Sequence, residues 1–412
     1  MGQVLPEDIT VLLFVLLVGI AVARLGRRRH VPEVVSLLLL GMTLRLVGGY
    51  LGVVLEPLTR FGETFIGMGI MSMTLLTILF IGGLETELAE FIETVNVSIP
   101  LATVGVIVTA ALTGLVVWLV MGFPPPLALL IGAVISSTDP TVVIPILKGI
   151  KVKRRLWGIL RSESVLDDAM CIALVFSLLA LLTEGTLTVG QVAGSFVWQV
   201  IGGLTVGLGV GYLIGNWMSR ISWRPDEVNV LSLVIPVTAF LLAESIRANG
   251  FLAALVTGLL LGNSRRSLMK IVPPIGRIPR KKLIDFWGNI AFLLEVITFV
   301  MLGFLIDPLI LYSLLPYVLL LIVIVLFVAR PIEVVICTVT ERRLNRNDRI
   351  FLIFAGFRAT VPAILAFAVL GTGIPAGDLV VNLVLGFVLV STIAQGLLVR
   401  QVATRLGVLE TE

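Results

Sequence analysis

Glu163, Ser164, Asp167 and Asp168 stand together inside the apolar stretch Arg161-Ser-Glu-Ser-Val-Leu-Asp-Asp-Ala-Met-Cys-Ile-Ala-Leu-Val-Phe. On a helix Glu163 and Asp167 are four apart, as are Ser164 and Asp168, so the four project as two adjacent stripes. An ionisable group at a bilayer centre costs roughly 2.5 to 3.5 kcal/mol on insertion scales, so several together imply a partner, a water-filled cavity or a transported ion. A dehydrated Na+ or Li+ takes hard oxygen donors, which two carboxylates, a Ser or Thr hydroxyl, a backbone carbonyl and water supply. A carboxylate kept from water can hold a proton instead. A site that accepts either a cation or protons, but not both, exchanges them as it alternates between faces.

Two other segments carry charges at points where a helix must break. The first reads Leu130-Ile-Gly-Ala-Val-Ile-Ser-Ser-Thr-Asp-Pro-Thr, where Pro140 lacks an amide hydrogen and disfavours helix at Asp139. The second reads Ala355-Gly-Phe-Arg-Ala-Thr-Val-Pro-Ala-Ile-Leu, with Gly356, Arg358, Thr360 and Pro362 in mid-segment. Interrupted helices expose amides, carbonyls and dipole ends at the membrane midplane, where Asp139 neutralises positive ends and Arg358 negative ones. Ser164 and Asp168 can face the Thr138-Asp139 break together. Arg330, in Phe327-Val-Ala-Arg-Pro-Ile-Glu, needs an acid, and Glu163 and Glu333 are the two candidates. Glu295 is a further mid-span acid without a local partner, open between cavity lining and structural pairing.

The elements that position these residues follow from composition. Hydrophobic residues make up 58% of the 412 and charged residues 14%, with a mean hydropathy of +1.11, so the chain reads as an all-α polytopic membrane protein. Spans of about 20 apolar residues divide it into about thirteen segments: 8–25, 31–48, 63–84, 97–121, 125–149, 160–183, 189–217, 227–247, 250–263, 284–306, 309–337, 350–371 and 378–400. The first is read as a retained spanning helix, with no soluble terminal domain. Lys and Arg concentrate in every second connection: Arg24 to His30, Lys148 to Arg155, Arg220 to Arg224, Arg265 to Lys282, Arg342 to Arg349 and Arg400 to Arg405. By the positive-inside rule these face the cytoplasm, which puts the N-terminus outside and the C-terminus inside a cell membrane. Glu85, Glu87, Glu90 and Glu93 fall on the cytoplasmic side without nearby basic residues and read as an interfacial turn with solvated carboxylates. Seven steps of order separate the two interrupted segments, an odd number that reverses direction. The whole chain therefore reads as one transmembrane domain, an inverted repeat of about 8–183 and 227–400 with 189–217 as linker.

Several function classes are excluded. The basic residues, for a net charge of +4, lie in short clusters rather than a stripe, so no nucleic-acid partner is expected. Cys171, Cys337 and the single histidine, His30, form no metal-binding set. No phosphate loop for ATP is present and no cofactor is expected, so an ion gradient supplies the driving force. The chain has no Gly-x-Gly-Asp segment and no intramembrane His, which argues against a protease that uses Asp139 and Asp168 as a pair, and against an enzyme generally. A cation channel or uniporter without proton coupling is the alternative to antiport, and paired interrupted helices favour alternating access over a continuous pore.

Thr138-Asp139-Pro140, Glu163-Ser164-x-x-Asp167-Asp168, Arg330-Pro331, Gly356-Phe-Arg358 and Ser391-Thr-Ile-Ala-Gln395-Gly396, in this order and spacing, resemble the monovalent cation/proton antiporter-1 family, the sodium/proton exchangers. The resemblance covers nearly the whole chain. It implies two crossed, interrupted helices in a core domain beside a dimerisation domain, an elevator-like movement and a homodimer. It implies that Asp168 is the essential carboxylate for cation and proton, with Asp139 and Thr138 as its partners and Ser164 as an oxygen ligand. These four would hold the transported Na+ (or Li+ or K+), and Glu163 with Arg330 would form a structural ion pair. The chain departs from the family's pattern at three places. Asp167 stands where electroneutral members have Asn, Arg330 where the electrogenic branch has Lys, and Glu295 where a neutral polar residue is expected.

Overall fold

The apolar runs fold as helices. The computed structural model describes residues 6–29, 31–50, 65–139, 152–184, 188–221, 223–263, 280–339 and 341–408, and no strand occurs among them. Pro140, residues 148–151 and 265–279 of the basic connections, and His30 lie outside the described residues. The helices are α1 (Pro6–Arg28), α2 (Glu33–Tyr50), α3 (Phe65–Glu85), α4 (Leu88–Pro100), α5 (Val106–Met121), α6 (Pro125–Ile135), α7 (Arg154–Glu184) and α8 (Val189–Ser219). They continue as α9 (Pro225–Ser245), α10 (Gly250–Asn263), α11 (Arg280–Leu305), α12 (Pro308–Ile324), α13 (Arg330–Thr338), α14 (Arg346–Phe354), α15 (Thr360–Gly371) and α16 (Gly377–Leu406). A wide π turn, Leu101–Gly105, joins α4 to α5, and a second, Val325–Ala329, joins α12 to α13. Each adjoins a proline, Pro100 or Pro331, whose missing amide breaks the regular hydrogen-bond ladder.

Among the described residues, eight helices are long and apolar enough to cross a membrane, which makes this a multi-pass membrane protein. Three shorter apolar helices, α6, α10 and α15, accompany them. The fifth expected span, 125–149, is described only to Asp139, so the expected count of thirteen rests partly on undescribed residues. Leu213, Val230, Leu241 and Phe327 stay exposed, as side chains facing lipid do.

Packing sorts the helices into two groups. α1, α2 and α3 pack with α9, α10 and α11, while α4 to α7 pack with α12 to α16. α8 touches both, lying against α9 and α10 on one side and α7 on the other. α7, which carries the acids, packs mainly within the second group and also touches α3 and α10 of the first, while α15 and α16 touch α11.

The acidic connection is folded differently from the solvated turn expected of it. α4 begins at Leu88, Glu85 pairs with Arg161 at 2.8 Å, and Glu87 pairs with Arg280 at 3.5 Å. The compensating cations come from distant sequence, so the local run gave no sign of them.

Asp307 ties three helices at the opposite end of the molecule. Its carboxylate caps α12 by accepting from the Leu309 and Ile310 amides at 2.9 and 3.3 Å, and it pairs with Arg45 of α2 at 2.7 Å. Its amide donates to Asn382 of α16 at 2.7 Å. Burial pushes the carboxyl up, but the two amides and the guanidinium outweigh it and hold Asp307 below the usual carboxylate range. A depressed native value means that the stabilisation is complete above the unfolded value of about 3.9 and is lost as pH falls through the native one. Melting of the detergent-solubilised protein should therefore drop more steeply on acidification below about pH 4 than melting of D307N, whose amide still caps the helix.

Candidate ion-binding site

The non-helical residues after α6 meet the break between α14 and α15, and each supplies what the other lacks. α6 ends at Ile135, and Ser137, Thr138 and Asp139 follow in non-helical backbone. α14 ends at Phe354 and α15 starts at Thr360, leaving 355–359 outside any helix. Pro362 falls in the first turn of α15, where its missing amide has no helical partner to lose. At the crossing the Asp139 amide donates to the Phe357 carbonyl at 2.6 Å. Arg358 donates to the carbonyls of Ile135, at 2.6 Å, and Ser136, at the negative end of α6. The Asp139 carboxylate accepts from the Thr360 amide at 3.2 Å, at the positive end of α15. Both charges thus meet the dipole ends the sequence assigns to them.

α7 lays its two acidic stripes against the first break. Asp167 accepts from Thr138 twice, from the hydroxyl at 2.5 Å and the amide at 3.0 Å. Asp168 accepts from the Ser137 hydroxyl. The Ser164 hydroxyl donates to the Thr138 carbonyl at 2.7 Å, which leaves its oxygen lone pairs free to face a cation.

A cavity of about 70 Å³ opens beside this assembly, lined by Asp139, Ser164, Asp168 and Thr360 at its inner end and by Ile78 and Leu79 of α3. Asp139 and Asp168 are 6% and 8% exposed. At about 30 Å³ per water the space holds two or so waters, or one partly dehydrated cation. Two carboxylates, a hydroxyl and water are the hard donor set that a monovalent cation takes. Asp139, Ser164 and Asp168 share the cavity wall, whereas Thr138 and Asp167 lie behind it, joined to each other. The hydroxyl partner of Asp168 is Ser137, a residue the sequence reading did not single out. Glu295 of α11 is half-buried, does not line this cavity, and makes no hydrogen bond or ion pair among the described residues.

Behind the site lies a buried charge network. Arg330 forms ion pairs with both candidate acids, Glu163 of α7 and Glu333 on its own helix, and also donates to Glu163 Oε2 at 3.1 Å and to the Leu352 carbonyl at 3.2 Å. Glu333 in turn accepts from Thr109 at 3.0 Å and lies 3.8 Å from Arg358. The two helix-break charges and the structural pair are therefore one connected set. Two glycines make room for it. A Cβ on Gly356 would lie 2.6 Å from Arg330 Nε, and one on Gly105 2.6 Å from the Glu333 carboxylate. Gln395 steadies the second break by donating to the carbonyls of Phe354 and Gly356 at 3.0 and 3.4 Å.

Comparison with known proteins bears on this arrangement. A family model described as sodium/hydrogen exchanger, transmembrane, matches residues 11–405. The K(+)/H(+) antiporter NhaP of Alkalimonas amylolytica is 29% identical over 389 residues, 94% of this chain and 64% of that protein. The Na(+)/H(+) antiporter NhaS2 of a Synechocystis species is 26% identical over 392 residues, 94% of this chain and 68% of that protein. The chain thus spans a little under two thirds of the first relative's length. The structure of the sodium proton antiporter MjNhaP1 from Methanocaldococcus jannaschii matches with a TM-score of 0.84 at 22% identity, covering 97% of this chain and 98% of that one.

Proposed function

Because the chain belongs to the sodium/hydrogen exchanger family, we propose that it is a secondary antiporter exchanging a monovalent cation for H+ by alternating access. Na+ is the first candidate cation, with K+ and Li+ as alternatives. One observation carries the reading: Asp139 and Asp168 share a small cavity with Ser164 where the end of α6 meets the break between α14 and α15. A pair of carboxylates withdrawn from water must be neutralised, and either a cation or a proton does so. Competition for Asp168 then couples the two fluxes. Asp139 and Ser164 set the cation's donor geometry from the cavity wall, while Thr138 behind it accepts from Ser164 and holds Asp167 in place. Glu163 and Arg330 brace the crossing.

The same proposal includes the arrangement in the membrane. Residues of about 8–183 and 227–400 form the two inverted halves, and 189–217 links them. The packing of α1 to α3 with α9 to α11, and of α4 to α7 with α12 to α16, pairs the corresponding parts of each half. The N-terminus faces outside and the C-terminus the cytoplasm of the cell membrane, so the cavity described here opens inward. The protein works as a homodimer.

The test is reconstitution in liposomes, with internal pH followed as Na+, K+ or Li+ is added outside, with and without an ionophore that clamps the membrane potential. Cation-dependent pH change is the expected result, and the most effective cation is the substrate. A cation flux that leaves pH unmoved under clamp would replace antiport by a channel or uniporter.

A further inference from the structure

The inner end of the cavity is acidic, and its outer end is closed by a pair of opposite charges. Glu85, the last residue of α3, and Arg161 of α7 both line the cavity and pair at 2.8 Å. Their side chains are 39% and 26% exposed, far more than Asp139 and Asp168, so they stand at its mouth. They belong to different packing groups, α3 to the first and α7 to the second.

Arg161 shares a helical stripe with Ser164, Val165 and Asp168, all of which line the cavity. Seven residues of helix put Arg161 about 10 Å from Asp168 along the axis. A guanidinium there, left alone, repels any cation approaching the acids. Glu85 is held where it can cancel that charge. Arg280 of α11 donates to the Glu85 carbonyl at 2.6 Å and the Leu84 carbonyl at 3.0 Å, and Asn263 of α10 donates to the Thr86 carbonyl at 2.8 Å. The neighbouring Glu87 is occupied by Arg280 at 3.5 Å. Glu90 of α4 lies one turn of α7 farther out, beside Gly158.

We propose that Glu85 and Arg161 form the cation-admitting mouth of the cavity, with Glu85 neutralising the one positive charge that lines it among the described residues. The inference rests on the antiport reading for the direction of travel, but its electrostatics concern cation access alone. A pair that only stabilised the fold would lose the same function whichever partner was removed. A mouth pair responds with opposite signs.

The experiment compares E85Q, R161Q and the double variant E85Q/R161Q in reconstituted full-length protein at low ionic strength. Two quantities are read: the KM for the cation in the pH assay, and the cation concentration that half-saturates thermal stabilisation in detergent, which needs no transport. E85Q should raise both by about two- to fifteenfold, the range that one charge at this distance gives between aqueous and protein dielectric. R161Q should lower both by a similar factor, and the double variant should return near the unmodified values. All three should keep their maximal rate at saturating cation, and the shifts should shrink once salt shortens the Debye length below about 5 Å. Shifts of the same sign in the two single variants, or unequal maximal rates with unchanged KM, would overturn the mouth and leave a structural tie. A protein that shows the opposite-signed binding shifts but moves no protons would keep the mouth and remove the antiport reading. The charge-swapped E85R/R161E, expected near the unmodified KM, covers the case in which a single variant folds poorly.

Discussion

D168N is expected to reduce cation-dependent proton flux in liposomes to the level of protein-free vesicles. The asparagine is isosteric and its oxygen still accepts from Ser137, so the contact at the helix break survives. What disappears is the charge that a cation or a proton would neutralise. Asp139 remains on the cavity wall, but it is engaged with the Thr360 amide at the start of α15 and holds the crossing together. Fold should be retained, because removing a charge from a buried site relieves desolvation instead of adding to it. Melting in detergent should stay within a few degrees of the unmodified protein, a change of under about 1 kcal/mol. D167N is the informative contrast. Asp167 stands behind the cavity wall and is held twice by Thr138. An amide oxygen can accept from the same two donors, so D167N should continue to exchange. Full exchange by D168N, or loss of exchange by D167N with D168N active, would move the site to the other stripe. In D167N under voltage clamp, an unaltered cation-to-proton ratio assigns the transported proton to Asp168 alone.

How much of this site could be read beforehand depends on the kind of backbone carrying each residue. On α7 the periodicity is that of a helix, so the split of Glu163 and Asp167 from Ser164 and Asp168 into two stripes was legible from spacing. Along 137–139 the chain has left the helix, and partners alternate: Ser137 meets Asp168, Thr138 meets Asp167, and Asp139 reaches α15. The proline after Asp139 announces a break but not which side each residue faces, so spacing alone does not show that the Thr138 hydroxyl meets Asp167 and the Ser137 hydroxyl meets Asp168. Charge imbalance was equally legible and equally incomplete. A lone Arg330 in an apolar run demanded an acid, and the structure gives it both candidates. That Glu333 also lies 3.8 Å from Arg358, joining the pair to the helix crossing, depends on α13 lying against the π turn before α5, a contact no local pattern encodes. Glu85 and Glu87 looked unpaired for the same reason, since their partners Arg161 and Arg280 are 76 and 193 residues away.

R330M should cost more stability than any other single change in this molecule. Arg330 is fully buried, and it neutralises two carboxylates, Glu163 and Glu333, that are themselves 0% and 3% exposed. Removing one partner from a buried charge set leaves the others without compensation, and such losses run to about 3–5 kcal/mol. That is a large share of the roughly 5–15 kcal/mol that holds a typical domain together. Little folded protein should be recovered from membranes, and what is recovered should melt well below the unmodified protein. Arg358 compensates only in part: its Nη2 lies 3.8 Å from Glu333, but its Nη1 is committed to the Ile135 and Ser136 carbonyls and nothing in this set replaces the pairing of Glu163. The charge argument separates from a packing argument through rescue. R330M/E163Q/E333Q removes both stranded acids and should recover much of the lost stability, whereas a cavity left by Arg330 would persist in the triple variant. R330K should fall between, because an ammonium can pair with one acid but lacks the planar fork that spans Glu163 and the Leu352 carbonyl together. Unmodified melting of R330M would mean that Glu163 and Glu333 are neutral in the native protein, and the network would then have to be read as hydrogen bonds between uncharged groups rather than as an ion pair bracing the crossing.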